Sequence, residues 1–388
     1  MSRRTRRILL SVGSTVLALA IAEVGLRIAT PSGATPYYGA YFEDKERRES
    51  DFGKAAAAGG IVAFPELPRS RPSFAPGFEF YICYRHSKAP WLDARGCVHN
   101  KMNELGIRDR EGITWEKKPG EKRIVCLGDS FTFGWGVPVE KVWTRLIEND
   151  IKQYGKWTSI NCGVADGLYI DEYWAAFRAR YHKLQPDIVV VSICLNDLAF
   201  IPNTLAWHRE STRISMLGMD LRKSVLIDRL ARAYDAANIT NIDPSRDYGK
   251  ELLALDSSKP EVRALFAAVN QAPDAVWQAQ APQAALRELR TWCAQNRVEL
   301  RVVLWPLFQG LDIGSTYPFA TLHRVVAEFC HAENIALLDL LPTFSGRDPR
   351  SFWVDPSDEH PNEHANALAA PAVARFLVET GAVKREQR

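Results

Sequence analysis

The sequence predicts an α/β protein built on a doubly wound parallel sheet, a three-layer arrangement with helices on both faces of the sheet. From Glu121 onward, short apolar runs alternate with amphipathic segments of helical period. The run at residues 187–195 is apolar almost throughout, as expected of a parallel strand that is buried on both faces. These two observations favour a βαβ succession over an all-helical or all-β chain.

The strands and helices of this succession can be assigned in order. Strands are predicted at residues 124–127, 158–164, 187–195, 300–305 and 335–340. Helices are predicted at residues 139–154, 171–184, 285–296, 317–334 and 365–378. Pro186 ends the second of these helices. Before the succession begins, residues 74–98 are aromatic and alternating, which indicates short strands.

Residues 202–284 break the alternation. They contain helical stretches at 224–238 and 261–269, separated by turns rich in Asp, Pro and Ser. We interpret this segment as a helical insertion that would cap the adjoining site.

The first 29 residues predict a membrane helix. Fifteen uncharged residues, 8–22, follow a cluster of arginines at positions 3, 4, 6 and 7. A cleaved signal peptide and a retained anchor share this pattern, and Ala18-Leu19-Ala20 resembles a cleavage site. The run reaches the about 20 residues needed to span a bilayer only if Glu23 and Arg27 lie near the far interface. We favour the anchor, with the arginines in the cytoplasm and the remaining chain on the other side of the membrane.

The remaining chain divides by composition. Residues 30–71 are rich in Pro, Gly, Ala and mixed charge, which is typical of a linker. Residues 72–388 then form the folded domain, with the insertion inside it. Hydrophobic residues at 46% and charged residues at 24% are typical of a globular protein. A net charge of +3 without a basic stripe argues against nucleic-acid binding.

The seven cysteines contain no C-x-x-C pair, so the sequence offers no zinc ribbon or redox motif. Cys83 and Cys97 are spaced for a loop-closing disulfide in an oxidising compartment. Cys126, Cys162 and Cys194 lie in apolar runs and are interpreted as small buried hydrophobic residues.

The first candidate functional residue is Ser130, in the run RIVCLGDSFTFGWG at residues 123–136. It follows a buried strand and precedes a helix, the position at which open α/β sheets place their ligands. A hydroxyl there is a nucleophile if a base reaches it, whereas an ordinary helix cap is the alternative.

The GDSFTFG run is similar to the first signature block of the SGNH (GDSL-type) hydrolase superfamily, and it differs from the G-x-S-x-G elbow of α/β-hydrolases. The resemblance implies that Ser130 is the nucleophile and that its N–H contributes to an oxyanion hole. Residues 103–109, NELGIRD, are similar to a Gly-x-Arg segment that precedes this block in membrane-anchored members.

Three further pieces resemble later blocks of the same superfamily. Gly167, in NCGVADG, would donate its N–H to the oxyanion, and Asn196, in CLND, would donate its side-chain amide. In DEHPN at residues 358–362, His360 would be the general base and Asp358 the acid that orients it. Each piece is weak alone, but their joint order and spacing form a strong signal.

Two positions depart from the family pattern. Cys194 stands where the third block usually has Gly, and Ser357 stands where the acid usually precedes the histidine by three residues. We therefore assign the acid to Asp358, with Asp355 as the alternative.

A competing motif overlaps the last block. Residues 360–364, HPNEH, fit the H-x-x-E-H pattern of inverted zincins. Zinc would need His360 and His364 on one helical face and a third protein ligand, whereas only 24 residues follow His364. We therefore predict a site without metal or cofactor, in which His364 packs locally at the helix start.

The resemblance implies an SGNH-like serine hydrolase of carboxylic esters that is anchored in the bacterial inner membrane and faces the periplasm. Its expected substrate is an O-acyl or O-acetyl group on a cell-envelope or exported polysaccharide, which it would remove or transfer. The alternatives are a lipase, thioesterase or lysophospholipase of the same fold, a form secreted after signal cleavage, and a non-catalytic glycan-binding subunit. The sequence leaves protein partners and oligomeric state unassigned.

Overall fold

The computed structural model describes residues 2–29, 40–50, 61–63, 72–84, 89–165, 170–198, 215–216, 219–220, 224–227, 230, 246–254, 281–312, 316–355 and 358–384. The chain forms two compact units. One comprises Met1–Pro36 and Pro202–Asn241, and the other comprises Tyr37–Ile201 and Ile242–Arg388.

The first unit contains α1, Arg3–Ala29, which is long and apolar enough to cross a membrane and has a mean hydropathy of 2.0 over its best 18-residue window. A secretion signal would share these properties. Glu23 near its end accepts hydrogen bonds from Ser224 Oγ at 2.7 Å and from the Leu226 N–H at 2.9 Å. This carboxylate, predicted to lie near the membrane interface, therefore caps a helical turn of the 202–284 insertion.

The second unit carries the remaining elements. Its strands are β1 (Ala40–Asp44), β2 (Glu49–Ser50), β3 (Ile61–Ala63), β4 (Pro72–Phe74), β5 (Glu79–Tyr84), β6 (Cys97–Lys101), β7 (Lys122–Gly128), β8 (Trp157–Gly163), β9 (Ile188–Cys194), β12 (Glu299–Trp305), β13 (Ala336–Asp339), β14 (Trp353–Asp355) and β15 (Asp358–Pro361), while β10 (Ser215–Met216) and β11 (Met219–Asp220) are a short pair in the first unit. Its helices are α2 (Ser130–Phe133), α3 (Trp143–Ile151), α4 (Ile170–Ala179), α5 (Tyr248–Leu253), α6 (Ala281–Asn296), α7 (Ala320–Ala332), α8 (Leu341–Phe344) and α9 (Glu363–Glu379).

Among the described residues, the central sheet has five parallel strands in the order β13-β12-β9-β7-β8. Numbered along the chain, these strands have the doubly wound order 2-1-3-4-5. The direction in which successive strands are added to the sheet reverses between β7 and β9. Every residue of β9 is buried, which explains its continuous apolar sequence. The predicted α/β fold class is thereby confirmed.

Helices cover both faces of this sheet. Helices α3 and α9 pack against each other, and α4 packs against α6. Right-handed crossovers place the helix between β7 and β8 on one face and the helices that follow β8 and β9 on the other. Each predicted strand and helix of the succession is present, with ends that differ by a few residues. The carboxyl ends of β7 and β9 therefore meet at the switch point of a three-layer fold.

A second, antiparallel sheet precedes the central one and has the order β2-β1-β5-β6. Its β1 and β2 come from residues 40–50, inside the segment predicted as a linker, so part of that segment joins the folded unit. A disulfide links Cys83 of β5 to Cys97 of β6, the pair indicated by the sequence. Cys126, Cys162 and Cys194 are free and buried, as expected.

The insertion is described only in short pieces. They include the β10–β11 pair, a helical turn at residues 225–227 and α5, which begins at the capping residue Asp247. The predicted helix at 261–269 and most of the predicted helix at 224–238 lie outside the described residues.

Candidate active site

Ser130 begins α2, directly after the central strand β7. The Asp129 side chain accepts a hydrogen bond from the N–H of Phe131 at 2.9 Å and so caps the helix. Gly134, at a φ of +83°, ends the helix after one turn. The N–H of Ser130 is one of the first in the helix, which lack acceptors inside it. The strand–turn–helix order predicted around the serine is therefore present.

Glycines let the serine helix approach the sheet closely. A Cβ at Gly128 would collide with the Thr132 side chain, and a Cβ at Gly163 on β8 would collide with the backbone of Thr132 and Phe133. The packing of α2 against β7 and β8 thus requires glycine at residues 128 and 163.

His360 reaches Ser130 from the strand β15. This strand pairs with β14 and leads into α9, whose cap is the Asn362 side chain. His360 Nε2 lies 2.8 Å from Ser130 Oγ, and His360 Nδ1 lies 2.5 Å from Asp358 Oδ1. A continuous chain of hydrogen bonds therefore joins Ser130, His360 and Asp358, although 230 residues separate the serine from the histidine along the chain.

The carboxylate bonded to His360 is that of Asp358. Asp355, the alternative, lies opposite Asp358 in the β14–β15 pair. Asp358 is two residues before His360 in a strand, so both side chains point to the same side of it. This alternation explains how an acid two positions before the histidine reaches the imidazole.

The three carboxyl groups near His360 have pKa values that are shifted in different directions. Burial acts to raise the pKa of Asp358, but the positive charge and hydrogen bonds of His360 outweigh it and hold that pKa below its ordinary value. Burial raises the pKa of Asp129, and burial together with the charge of Asp358 raises the pKa of Glu359 to about 8. Of the three carboxyl groups, Asp358 alone has a pKa below its ordinary value.

The pKa of His360 is shifted in the opposite direction to that of Asp358. Burial acts to lower the pKa of His360, whereas the charge and hydrogen bond of Asp358 outweigh it and raise that pKa above its ordinary value. Asp129 and Glu359 add to the increase. The imidazole is therefore a stronger base than a free histidine, and its Nε2 faces the serine hydroxyl.

Asn196 lies beside the serine turn, in the short helical turn that follows β9. Its Nδ2 is 3.4 Å from Asp129 Oδ2, and its Oδ1 is buried without a hydrogen-bond partner among the described residues. Asp197 fixes this turn by accepting from Tyr173 Oη at 2.6 Å and from the N–H of Cys194 at 2.8 Å. Cys194, where the family has Gly, thus contributes its backbone to the turn that carries Asn196. Gly167 lies outside the described residues.

Three residues that the sequence did not indicate as parts of the site also lie there. Trp135 stacks on His360 with ring centroids 5.4 Å apart, and its Nε1 donates to Asp358 Oδ2 at 3.0 Å. Tyr84 Oη donates to the same oxygen at 2.7 Å. Arg108, from the Gly-x-Arg segment, donates to backbone carbonyls on both sides of Trp135. The G-W-G run was the available signal for Trp135, whereas nothing in the sequence links Tyr84 to residue 358.

The H-x-x-E-H residues are divided between two elements. His360 belongs to β15, and Glu363 and His364 belong to α9. His364 stacks on Phe352 with ring centroids 5.7 Å apart, as local packing predicts. The two histidines therefore do not form the pair on one helical face that the zincin pattern requires.

No protein-family model matches the chain, and no curated protein matches it. It is similar to solved structures of a lipase/acylhydrolase from Enterococcus faecalis (15% identity, 69% of this chain and 100% of that one, TM-score 0.39) and of a lipolytic protein of the G-D-S-L family from Desulfitobacterium hafniense (13%, 66% and 99%, 0.37). It is also similar to an acetyl-xylooligosaccharide esterase from Geobacillus stearmophilus (15%, 70% and 100%, 0.39). At these identities and TM-scores, no function is transferred from them.

Proposed function

We propose that this chain is an SGNH-like serine hydrolase that cleaves carboxylic esters with Ser130 as nucleophile, His360 as general base and Asp358 as the orienting acid. One observation carries the proposal, namely the hydrogen-bond chain from Ser130 Oγ through His360 to Asp358, at 2.8 and 2.5 Å. A nucleophile that contacts a base, which in turn contacts an orienting group, is the arrangement that acyl transfer requires.

The reaction follows from this geometry. His360 Nε2 takes the proton of Ser130 while Oγ attacks the ester carbonyl carbon, and the carbonyl oxygen becomes an oxyanion. His360 then gives the proton to the leaving alcohol, so that the C–O bond breaks and an acyl-serine remains. Water, deprotonated by His360, attacks the acyl carbon, and collapse of the second tetrahedral intermediate releases the acid and restores Ser130.

The oxyanion would be held by three donors: the N–H of Ser130, the side-chain amide of Asn196 and the N–H of Gly167. Support for Asn196 is its place at the end of β9, beside the Asp129–Ser130 turn. Its amide is held at 3.4 Å from Asp129, a long bond that an oxyanion could replace. Support for Gly167 is the sequence resemblance alone. Removing one such donor typically costs about 10²–10³ in turnover.

The proposed substrate is an O-acyl group, O-acetyl in particular, on a cell-envelope or exported polysaccharide, which is either hydrolysed or transferred to another sugar. The motif resemblance supports this class, because membrane-anchored relatives of similar layout act on such groups. A lipase, thioesterase or lysophospholipase would share the same three residues. The length of the preferred acyl chain distinguishes these possibilities.

We further propose that α1 anchors the protein in the inner membrane and that the catalytic unit faces the periplasm. The exposed apolar surface of α1 supports the anchor, and the arginines before it support a cytoplasmic N-terminus. The Cys83–Cys97 disulfide supports an oxidising compartment for the catalytic unit.

The test uses the full chain in detergent micelles with p-nitrophenyl esters of increasing acyl length. We expect turnover that falls by at least about 10⁴-fold in Ser130→Ala, and that is unchanged in Ser345→Ala, which removes an exposed hydroxyl. Preference for acetate would favour the deacetylase, and acetate release from an acetylated polysaccharide would establish it. Equal turnover in Ser130→Ala would refute the proposed nucleophile.

A further inference from the structure

The carboxylate of Asp358 is fully engaged by hydrogen bonds. Its Oδ1 accepts from His360 Nδ1 at 2.5 Å and from the His360 N–H at 3.2 Å. Its Oδ2 accepts from Tyr84 Oη at 2.7 Å and from Trp135 Nε1 at 3.0 Å. Only 1% of Asp358 is exposed, so these groups replace water as its hydrogen-bond donors.

Tyr84 is on β5 of the antiparallel sheet, and it precedes Asp358 by 274 residues along the chain. It is 1% exposed and belongs to an apolar cluster with Phe80 and Ile82 of the same strand. That cluster also contains Phe133 and Val137, from the segment that follows Ser130. The antiparallel sheet thus packs directly against the loop beside the nucleophile.

Two features fix the hydroxyl of Tyr84. A Cβ at Gly136, in the loop after Ser130, would collide with Tyr84 Oη, so the absence of a side chain there makes room for this hydroxyl. On the other side, the backbone N–H of Tyr84 donates to Gly96 at 2.8 Å, and the preceding residue forms the Cys83–Cys97 disulfide. The phenol therefore has little freedom to leave Asp358.

We propose that Tyr84 is a positioning residue for the Ser130–His360–Asp358 triad, so that the antiparallel sheet is part of the catalytic apparatus. The inference deepens the proposed function and rests on it. The terminal torsion of an Asp side chain, χ2, is broadly distributed, so the side chain alone does not fix where each carboxylate oxygen points. A donor fixed on Oδ2 directs Oδ1 to the imidazole. It also stabilises the ionised carboxylate, which makes Asp358 less basic.

The pH dependence of catalysis reports this role with a defined sign. The titratable groups that face His360 are Asp358, Asp129 and Glu359, and those that face Tyr84 are Asp358 and Asp355. Without the Tyr84 hydroxyl, the negative charge of Asp358 is less stabilised at Oδ2, so the carboxylate interacts more strongly with the charged form of His360. The imidazolium is then stabilised further, and the acidic limb of the kcat/KM profile moves to higher pH.

The experiment compares Tyr84→Phe with Tyr81→Phe. Tyr81 lies on the same strand but on its other face, where it stacks on His99 and lies under Arg47. For Tyr84→Phe we expect kcat to fall about tenfold, the equivalent of one hydrogen bond, with KM little changed and the acidic limb displaced upward. Tyr81→Phe should match the wild type in all three quantities. Thermal unfolding of both variants controls for loss of fold.

A second readout does not require a substrate. Histidine-selective carbon NMR of the full chain, with His360 assigned by loss of its signal in His360→Gln, gives the pKa of the imidazole directly. We expect it to rise in Tyr84→Phe and to stay constant in Tyr81→Phe. An unmoved or lowered His360 pKa and acidic limb in Tyr84→Phe would overturn the inference, whatever the change in kcat. If Ser130→Ala retained full turnover, the proposed function would fail instead, and the inference would fall with it.

Discussion

Arg108 Nη1 donates to the main-chain carbonyl of Phe133 at 2.7 Å, and the guanidinium carbon lies 4.9 Å from the centroid of the Phe133 ring. The other guanidinium nitrogen donates to Val137 at 2.5 Å. Arg108 therefore holds both ends of the loop that carries Trp135. Gly106, two residues before Arg108, packs closely against β4, because a Cβ there would collide with the Phe74 carbonyl. The Gly-x-Arg segment thus acts as a clamp on the loop after the nucleophile.

Arg108→Lys should destabilise the protein and slow the reaction. Burial lowers the pKa of Arg108 to about 10. The guanidinium donates from two nitrogens to carbonyls at both ends of the loop, and a single lysine ammonium cannot reproduce both contacts. Leaving a buried carbonyl unpaired costs about 2 kcal/mol of unfolding free energy, which urea unfolding measures. Arg324→Lys, on an exposed helical surface, should change stability little. Equal stabilities for both variants would refute the clamp.

Asp358→Asn should both slow the reaction and move its pH dependence. The charge of Asp358 raises the pKa of His360, so the neutral amide lets that pKa fall and displaces the acidic limb of kcat/KM to lower pH. Loss of the correct tautomer should lower kcat by about 10⁴-fold. Asp355→Asn is the matched control and should leave the limb in place. A larger effect in Asp355→Asn would assign the acid to the other carboxylate.

Asp109→Asn should make stability less dependent on pH. Burial raises the pKa of Asp109 to about 6, above its ordinary value of 3.8, so its contribution to stability is complete below pH 3.8 and is lost as pH rises through 6. Relative to the wild type, Asp109→Asn should therefore gain about 2 kcal/mol between pH 4 and pH 7. Urea unfolding at both values provides the measurement. A constant difference would show that Asp109 titrates normally.

The Cys83–Cys97 disulfide should support both stability and turnover. It closes a loop with a sequence separation of 14 residues, for which loss of the bond costs about 3 kcal/mol. The double variant Cys83→Ser, Cys97→Ser should have a lower melting temperature and a reduced kcat, since Tyr84 adjoins Cys83. Reductant should lower the activity of the wild type towards that of the double variant and leave the double variant unaffected. A wild type insensitive to reductant under conditions that break the disulfide would contradict this link.

The sequence predicted the βαβ succession because parallel strands buried on both faces carry continuous apolar runs, of which β9 is the clearest. The resemblance to blocks of the SGNH superfamily, in their order and spacing, predicted Ser130 and His360 as parts of one site. Asp358 followed from the same block, although the spacing left Asp355 open.

Long-range contacts account for what the sequence did not predict. Tyr84 and Asp358 meet only because two separate sheets pack together, and no periodicity reports such a contact. The sequence predicts a linker where β1 and β2 lie, because Pro, Gly and charged residues dominate the segment around them. Their pairing with β5 supplies hydrogen bonds that the local composition does not indicate.

The most direct measurement is labelling of the full chain with a fluorophosphonate, followed by intact mass and peptide mapping. The account predicts one adduct per chain on Ser130, none in Ser130→Ala and much slower labelling in His360→Gln, because Nε2 no longer takes the serine proton. A folded wild type that stays unlabelled, or an adduct on another serine, would contradict the proposed nucleophile and with it the triad.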